Sequence, residues 1–382
     1  MPDAATEYRP SIWDDYIMLK VRREIIDKLN AAADAGPVQE SLKAAVQTEL
    51  MTIPPYLTAL FSIRDENFEA RKLVHSVVVE EMLHMTLAAN TLIAIGGDVP
   101  IVALGSSIRY PSTFPLDVDD GLVVGLASLT RPQIHDVFMA IERPDTTATL
   151  PGEGGSVPPI GPGSGYGSLG DFYNAVIEAL KRLGPSVFAQ PRLERQVVIT
   201  DWFNYEIEGA PDGRVSSFES AQAVLEKIIA QGEGLQIRQD QIDPKDGDKT
   251  YAHYFKFGEI YYGKLLVPDD KAISGWSYTG GDVPLDTGLI VTLQNNAALS
   301  DYPPDSGAHI AGSAFYGAYC RLLRALEETF NGSPAKLDSA LGIMFELKLV
   351  AQQVMQFAVS ENAYAAPPFM PDHSRMEPVV RL

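Results

Sequence analysis

The strongest constraint on the fold is the stretch from Asn67 to Ile95, which reads as one long helix, closed by Gly96 and Gly97 and kept from continuing by Pro100. Near its middle, in Val77-Val78-Val79-Glu80-Glu81-Met82-Leu83-His84, a carboxylate and an imidazole stand three residues apart among apolar neighbours. Residues at that spacing share a helix face, so Glu81 and His84 point the same way. A carboxylate and an imidazole one turn apart can bind a single ion, and carboxylate-rich bundles use such a step to hold iron or manganese. By itself the four-residue pattern is common by chance. Glu80 lies about 100° around the helix from Glu81 and is expected in solvent or behind a ligand.

A helix over Pro37 to Ile63 strengthens the reading. Its apolar stripe of Leu42, Ala45, Val46, Leu50 and Ile53 runs straight through position 49 and places Glu49 on the buried face. No base lies three or four residues away to pair with it, and an uncompensated buried acid is costly. Pro54 and Pro55 remove two backbone donors just beyond, so a kink that opens the helix and a plain break between two helices are both compatible with the sequence.

Beyond Pro100 the pattern loosens. Pro100 to Pro132 reads as an irregular excursion, Pro151 to Gly167 as a Gly- and Pro-rich loop, and Ser168 with Asp171 as the capping-box start of a helix through Leu183. Helices follow over Ser216 to Gly234 and Thr250 to Gly263. After a turn-rich stretch from Leu265 to Gly307 comes a helical pair, Ala308 to Phe330 and Ala335 to Val359. The expected layout is an extension over 1–36, a bundle over 37–264 with an insertion at about 98–215, and a C-terminal irregular segment and helical pair over 265–382 packed on the bundle. The fold class is mainly α.

In an antiparallel hairpin the end of one helix lies beside the start of the next, so Glu233 and His253 are placed to converge across their loop. Glu226, two turns earlier, is a substitute whose backbone sits about 10 Å further along the axis. Glu49, Glu81, His84, Glu233 and His253 together have the oxygen and nitrogen composition of a non-haem iron site. Thr250 stands where a second Glu-x-x-His would need its acid, so Glu226 or water completes the shell, or a single metal binds. His75, His135, His309 and His373 have no companion acid at ligand spacing and read as structural or solvated.

Composition narrows the function further. Fifty acidic against 30 basic residues give a net charge of -20, which repels phosphate backbones and anionic lipid, so neither nucleic acid nor a membrane is expected as a partner. The lone Cys320 excludes internal disulfides and thiolate-rich metal sites. With no basic-then-apolar leader pattern at the start, the expectation is a cytoplasmic protein acting on a small-molecule substrate, with assembly into a homo-oligomer left open.

The runs Glu49-Leu50-Met51-Thr52-Ile53-Pro54-Pro55-Tyr56-Leu57-Thr58-Ala59-Leu60, Glu80-Glu81-Met82-Leu83-His84 and Ala88-Ala89-Asn90-Thr91-Leu92 resemble the iminophenyl-pyruvate dimer synthase-like branch of the ferritin-like proteins. The similarity continues through Ile141-Glu142-Arg143-Pro144, Gly170-Asp171-Phe172-Tyr173, Gln231-Gly232-Glu233-Gly234 and His253-Tyr254-Phe255-Lys256-Phe257, and into Met344 to Met355. The resemblance implies a ferritin-like bundle, a metal site and an oxidase-like activity, in which some members couple two imines made from oxidised aromatic amino acids. Those pathway enzymes are longer and associated with haem, whereas this chain corresponds to the ferritin-like region. The alternative is a ferritin-like metal-binding protein without catalysis, serving storage, sensing or as a scaffold.

Overall fold

The computed structural model describes residues 18–116, 122–146, 148–153, 166–203, 205–232, 234 and 251–372. Its centre is a pair of long helices, α2 (Gly36–Ser62) and α3 (Phe68–Ala94), packed along their length. Both are buried on most faces, α2 almost continuously from Ser41 to Leu60, so the apolar stripe through Glu49 is only part of the surface that α2 buries. By length and composition α3 could cross a membrane, yet 83% of its most apolar window is buried inside the fold. It is the core helix of the bundle.

The prolines of α2 do not end it. Pro54 and Pro55 sit inside a continuous helix, and the Met51 carbonyl, which the missing Pro55 amide would have met, accepts the Tyr110 hydroxyl at 2.7 Å. Before this pair runs α1 (Arg23–Asn30), preceded by the two-residue strand β1 (Val21–Arg22), which pairs with β2 (Tyr166–Gly167). After it, α4 (Ile101–Ser107) is a short helix where the Pro-rich sequence reads as irregular. Pro100 stops α3 but also sits at a helix entrance, where a missing amide costs nothing.

A second departure follows at Gln133–Phe138, a π-helical turn that runs into α5 (Met139–Ile141). Neither has the 3.6-residue periodicity that marks a helix in sequence. Then come α6 (Leu169–Leu183), α7 (Phe218–Gly232) and α8 (His253–Tyr262). The capping box at the start of α6 is present, Ser168 accepting from the Asp171 amide and Asp171 from the Ser168 amide. Helices α6, α7 and α8 pack against α2 and α3 and against one another, and so enclose the middle of the central pair.

The stretch after α8, expected to be irregular, opens with an antiparallel hairpin of β3 (Lys264–Pro268) and β4 (Trp276–Asp282). The C-terminal pair, α9 (Gly307–Phe330) and α10 (Leu337–Val354), packs on α2, α3 and α4. A short ribbon, β5 (Ala358–Ser360) and β6 (Ala363–Tyr364), follows. One continuous apolar core joins all these layers.

Candidate metal centre

Three buried acids and two buried imidazoles meet between the central helices and α8. Glu49 comes from α2, Glu81 and His84 from α3, Glu142 from the residue after α5, and His253 from the first position of α8. All five side chains are nearly solvent-free, from 0% exposure for His253 to 5% for Glu142. Glu81, His84 and His253 each offer one ligand atom, and the three atoms lie within 4.8 Å of one another. Glu49 Oε2 is 3.9 Å from His84 Nδ1, and Glu142 Oε2 is 3.3 Å from His253 Nδ1. Glu81 stands between, its Oε1 2.8 Å from His253 Nδ1. The arrangement thus has two halves around a shared acid: Glu49 with His84, and Glu142 with His253.

The imidazole rings lie nearly parallel, 5.3 Å between centroids and 21° between planes. Each keeps Nδ1 toward the acids and has an oxygen close behind it at Nε2, Gln231 Oε1 at 3.1 Å for His84 and Glu80 Oε2 at 2.9 Å for His253. Nδ1 of His253, on the side of the acids, is buried with Glu81 and Glu142 oxygens close by, yet it completes no hydrogen bond of acceptable geometry. A buried donor set that is close but not aligned for protons is what a cation would satisfy. The residues present therefore fit a metal ion bound through oxygen and nitrogen.

Hydrogen bonds from outside fix the acids. Tyr173 of α6 donates to Glu49 Oε1 at 2.6 Å, Thr52 donates to Glu81 Oε2 at 2.9 Å, and Tyr56 donates to Glu142 through a very short contact. The segment carrying Glu142 is clamped by Arg143, which binds Glu153 at 2.5 and 2.8 Å, while Glu153 accepts from Tyr254 of α8 at 2.7 Å.

Crowded charge sets the protonation states of the metal-free site. Burial, then the neighbouring Glu81, pushes Glu49 well above the usual carboxyl range, and burial and Glu81 likewise raise Glu142. Burial acts against ionised Glu81 too, but contact with His253 outweighs it and holds that carboxyl low. Burial lowers His84 to about 4, whereas for His253 the effect of burial is overridden by Glu142, Glu80 and Glu81, which raise it. Opposed by burial, Lys256 and His253 hold Glu80 at about 2. Groups whose environments push their protons apart in this way are characteristic of functional sites.

Of the residues expected from sequence, the structure brings together Glu49, Glu81, His84 and His253. Glu233 lies outside the described residues, and the neighbouring side chain that reaches the site is Gln231, behind His84. Glu226 does not complete the shell: it is exposed on α7 and accepts from Gln222 at 2.6 Å. His253 opens α8 instead of standing one turn inside it. Glu142 is the member of the site that sequence reasoning misses, and its signal is slight, an acid directly after the apolar run Phe138 to Ile141. Tyr56 is wholly buried against Glu142.

A bundle of antiparallel helices enclosing a carboxylate and histidine cluster defines a class, the helical metal-binding bundles. A family model described as ferritin-like matches residues 42–262, and the chain belongs to the ferritin-like family. Among solved structures it is similar to a ferritin-like protein from Caulobacter vibrioides, at a TM-score of 0.53 and 19% identity over 86% of this chain and 96% of that one. At that identity the likeness is one of fold. No curated protein gives a match.

Proposed function

We propose that this protein is a non-haem metal-dependent oxidoreductase that holds iron, as one or two ions, and oxidises or oxidatively couples a small amino-acid-derived imine. The single observation that carries the reading is the meeting of Glu49, Glu81, His84, Glu142 and His253 beside a cavity of about 20 Å³. Bound iron would supply a reversible change of oxidation state and a position for dioxygen. The substrate class follows from the resemblance to the iminophenyl-pyruvate dimer synthase-like branch.

The chain's own residues prepare the site for such chemistry. Leu19, Ile141, Leu169, Ile228 and Ile229 form the apolar part of the cavity wall and keep bulk water from the ligands. A space of this size takes one water-sized molecule. Tyr173 and Tyr56 each hold a proton on a carboxylate ligand, at Glu49 Oε1 and Glu142 Oε1.

Two measurements test the proposal. Elemental analysis of protein purified without added metal is expected to show iron, and full occupancy by zinc would count against redox chemistry, since zinc has no accessible second oxidation state. Protein loaded with ferrous iron under anaerobic conditions is expected to take up oxygen on mixing and change its absorption spectrum. Bound iron that responds in neither way would support the reading as a storage, sensing or scaffold protein instead.

A further inference from the structure

The two imidazoles of the centre are backed by different chemistry. Behind His84 stands the neutral amide oxygen of Gln231, whereas behind His253 stands the carboxylate of Glu80. Glu80 is in turn 2.6 Å from Lys256 Nζ, with Ser76 Oγ 3.3 Å from the same ammonium. Lys256 is only 1% exposed. A buried Lys–Glu pair is a poor source of stability, because an apolar pair of similar volume often does as well. Its position explains it better: Lys256 lies one turn after His253 on α8, and Glu80 lies next to Glu81 on α3, so the pair joins the two ligand-bearing helices at the back of one imidazole.

A carboxylate behind a metal-bound imidazole orients the ring and strengthens it as a donor. A neutral amide orients without adding charge. Of the two imidazoles, His84 lines the cavity and His253 does not, while acids of both halves, Glu49, Glu81 and Glu142, reach its wall. Building on the metal-site reading above, we propose that the centre is asymmetric: a divalent cation is held first and more tightly by His253, Glu142 and Glu81, backed by Glu80 and Lys256. The position formed by Glu49 and His84 is the weaker and exchangeable one, facing the cavity. Lys256 and Glu80 are positioning residues, acting on metal through His253.

The test is an anaerobic titration of the metal-free full chain with Co(II), followed by its visible absorption and by calorimetry. Wild type is expected to bind in two resolved steps. Glu80→Gln and Lys256→Met each weaken the first step by about 10- to 100-fold and leave the second within a few-fold, while Gln231→Leu weakens the second alone. Glu80→Gln preserves shape and carries the test should Lys256→Met fail to fold. A single step, two steps of equal affinity, or a Glu80→Gln effect on the second step overturns the asymmetry while leaving a metal site standing. Failure of wild type to bind Co(II) overturns the metal-site reading itself, and the asymmetry with it.

Discussion

Replacing Glu49 with glutamine is expected to stabilise the metal-free protein at neutral pH while weakening metal binding. Glu49 is raised well above its ordinary value of 4.5 by burial and by Glu81, with which it shares a hydrogen bond in which Glu49 holds the proton. A carboxyl raised on folding contributes its full stability below the unfolded value and loses it as pH rises through the folded one. Each pH unit above 4.5 over which folded Glu49 keeps its proton therefore costs about 1.4 kcal/mol. Ionising it instead would set two charges together at a cost of roughly 4 kcal/mol at 4 Å and an effective dielectric of 20. The amide introduced by Glu49→Gln needs no proton to stay neutral, and it can still accept from Tyr173 and donate to Glu81. Urea unfolding of chelator-treated proteins should show the variant near parity with wild type at about pH 5 and gaining on it, by at most about 1.4 kcal/mol per pH unit, as the pH rises. Co(II) affinity should fall at least about tenfold, since losing even a partner that only orients a ligand typically costs that much. Equal destabilisation by Glu49→Gln at both pH values would refute the reasoning, because it would show that the acid carries no protonation cost in the fold.

Glu142→Gln is expected to lower the number of Co(II) ions bound per chain by one, and Glu226→Gln to leave it unchanged; calorimetric stoichiometry separates the two acids. Asn90 of α3 donates to the Val197 and Gly213 carbonyls at 2.8 and 2.9 Å and accepts from the Val197 amide at 2.9 Å. Asn90→Ala strands three buried backbone groups and should cost about 3 kcal/mol or more in urea unfolding. Tyr110→Phe removes the donor that meets the Met51 carbonyl inside the proline-bearing helix and should cost about 1–2 kcal/mol by the same assay.

The parts of the fold that are legible in sequence are those whose signal is local. The long helix through Glu81 and His84 announces itself by composition and by its Gly96-Gly97 end, and Ser168 with Asp171 marks a helix start by side chains three residues apart. Glu49 is legible for a related reason, as an acid interrupting an apolar stripe with no base within helical reach. Glu142 is not, because a π-helical turn and a single helical turn precede it, and neither displays the period that reveals which side a residue faces. The β3 and β4 hairpin escapes for want of a clean alternation of apolar and polar residues, most of its positions being only partly buried or exposed.

The same distinction accounts for why the sequence reads as one ligand short. A Glu-x-x-His step places two ligands by helix geometry alone, so where α3 has one, α8 would be expected to carry another, and Thr250 denies it. The fold supplies the acid from a different element, with Arg143, Glu153 and Tyr254 clamping the Glu142 segment to α8 so that Glu142 arrives beside His253. Two ligands that a helix would have fixed by spacing are here fixed by tertiary hydrogen bonds, which no local pattern can show. His253, relieved of the need for an acid one turn earlier on its own helix, can begin α8, and its ring is set instead by Glu80 from α3. The centre is therefore built from one rigid pair on α3 and from ligands brought to it by neighbouring elements. Changes at the Arg143–Glu153–Tyr254 clamp should reach the Glu142 and His253 half before they reach His84.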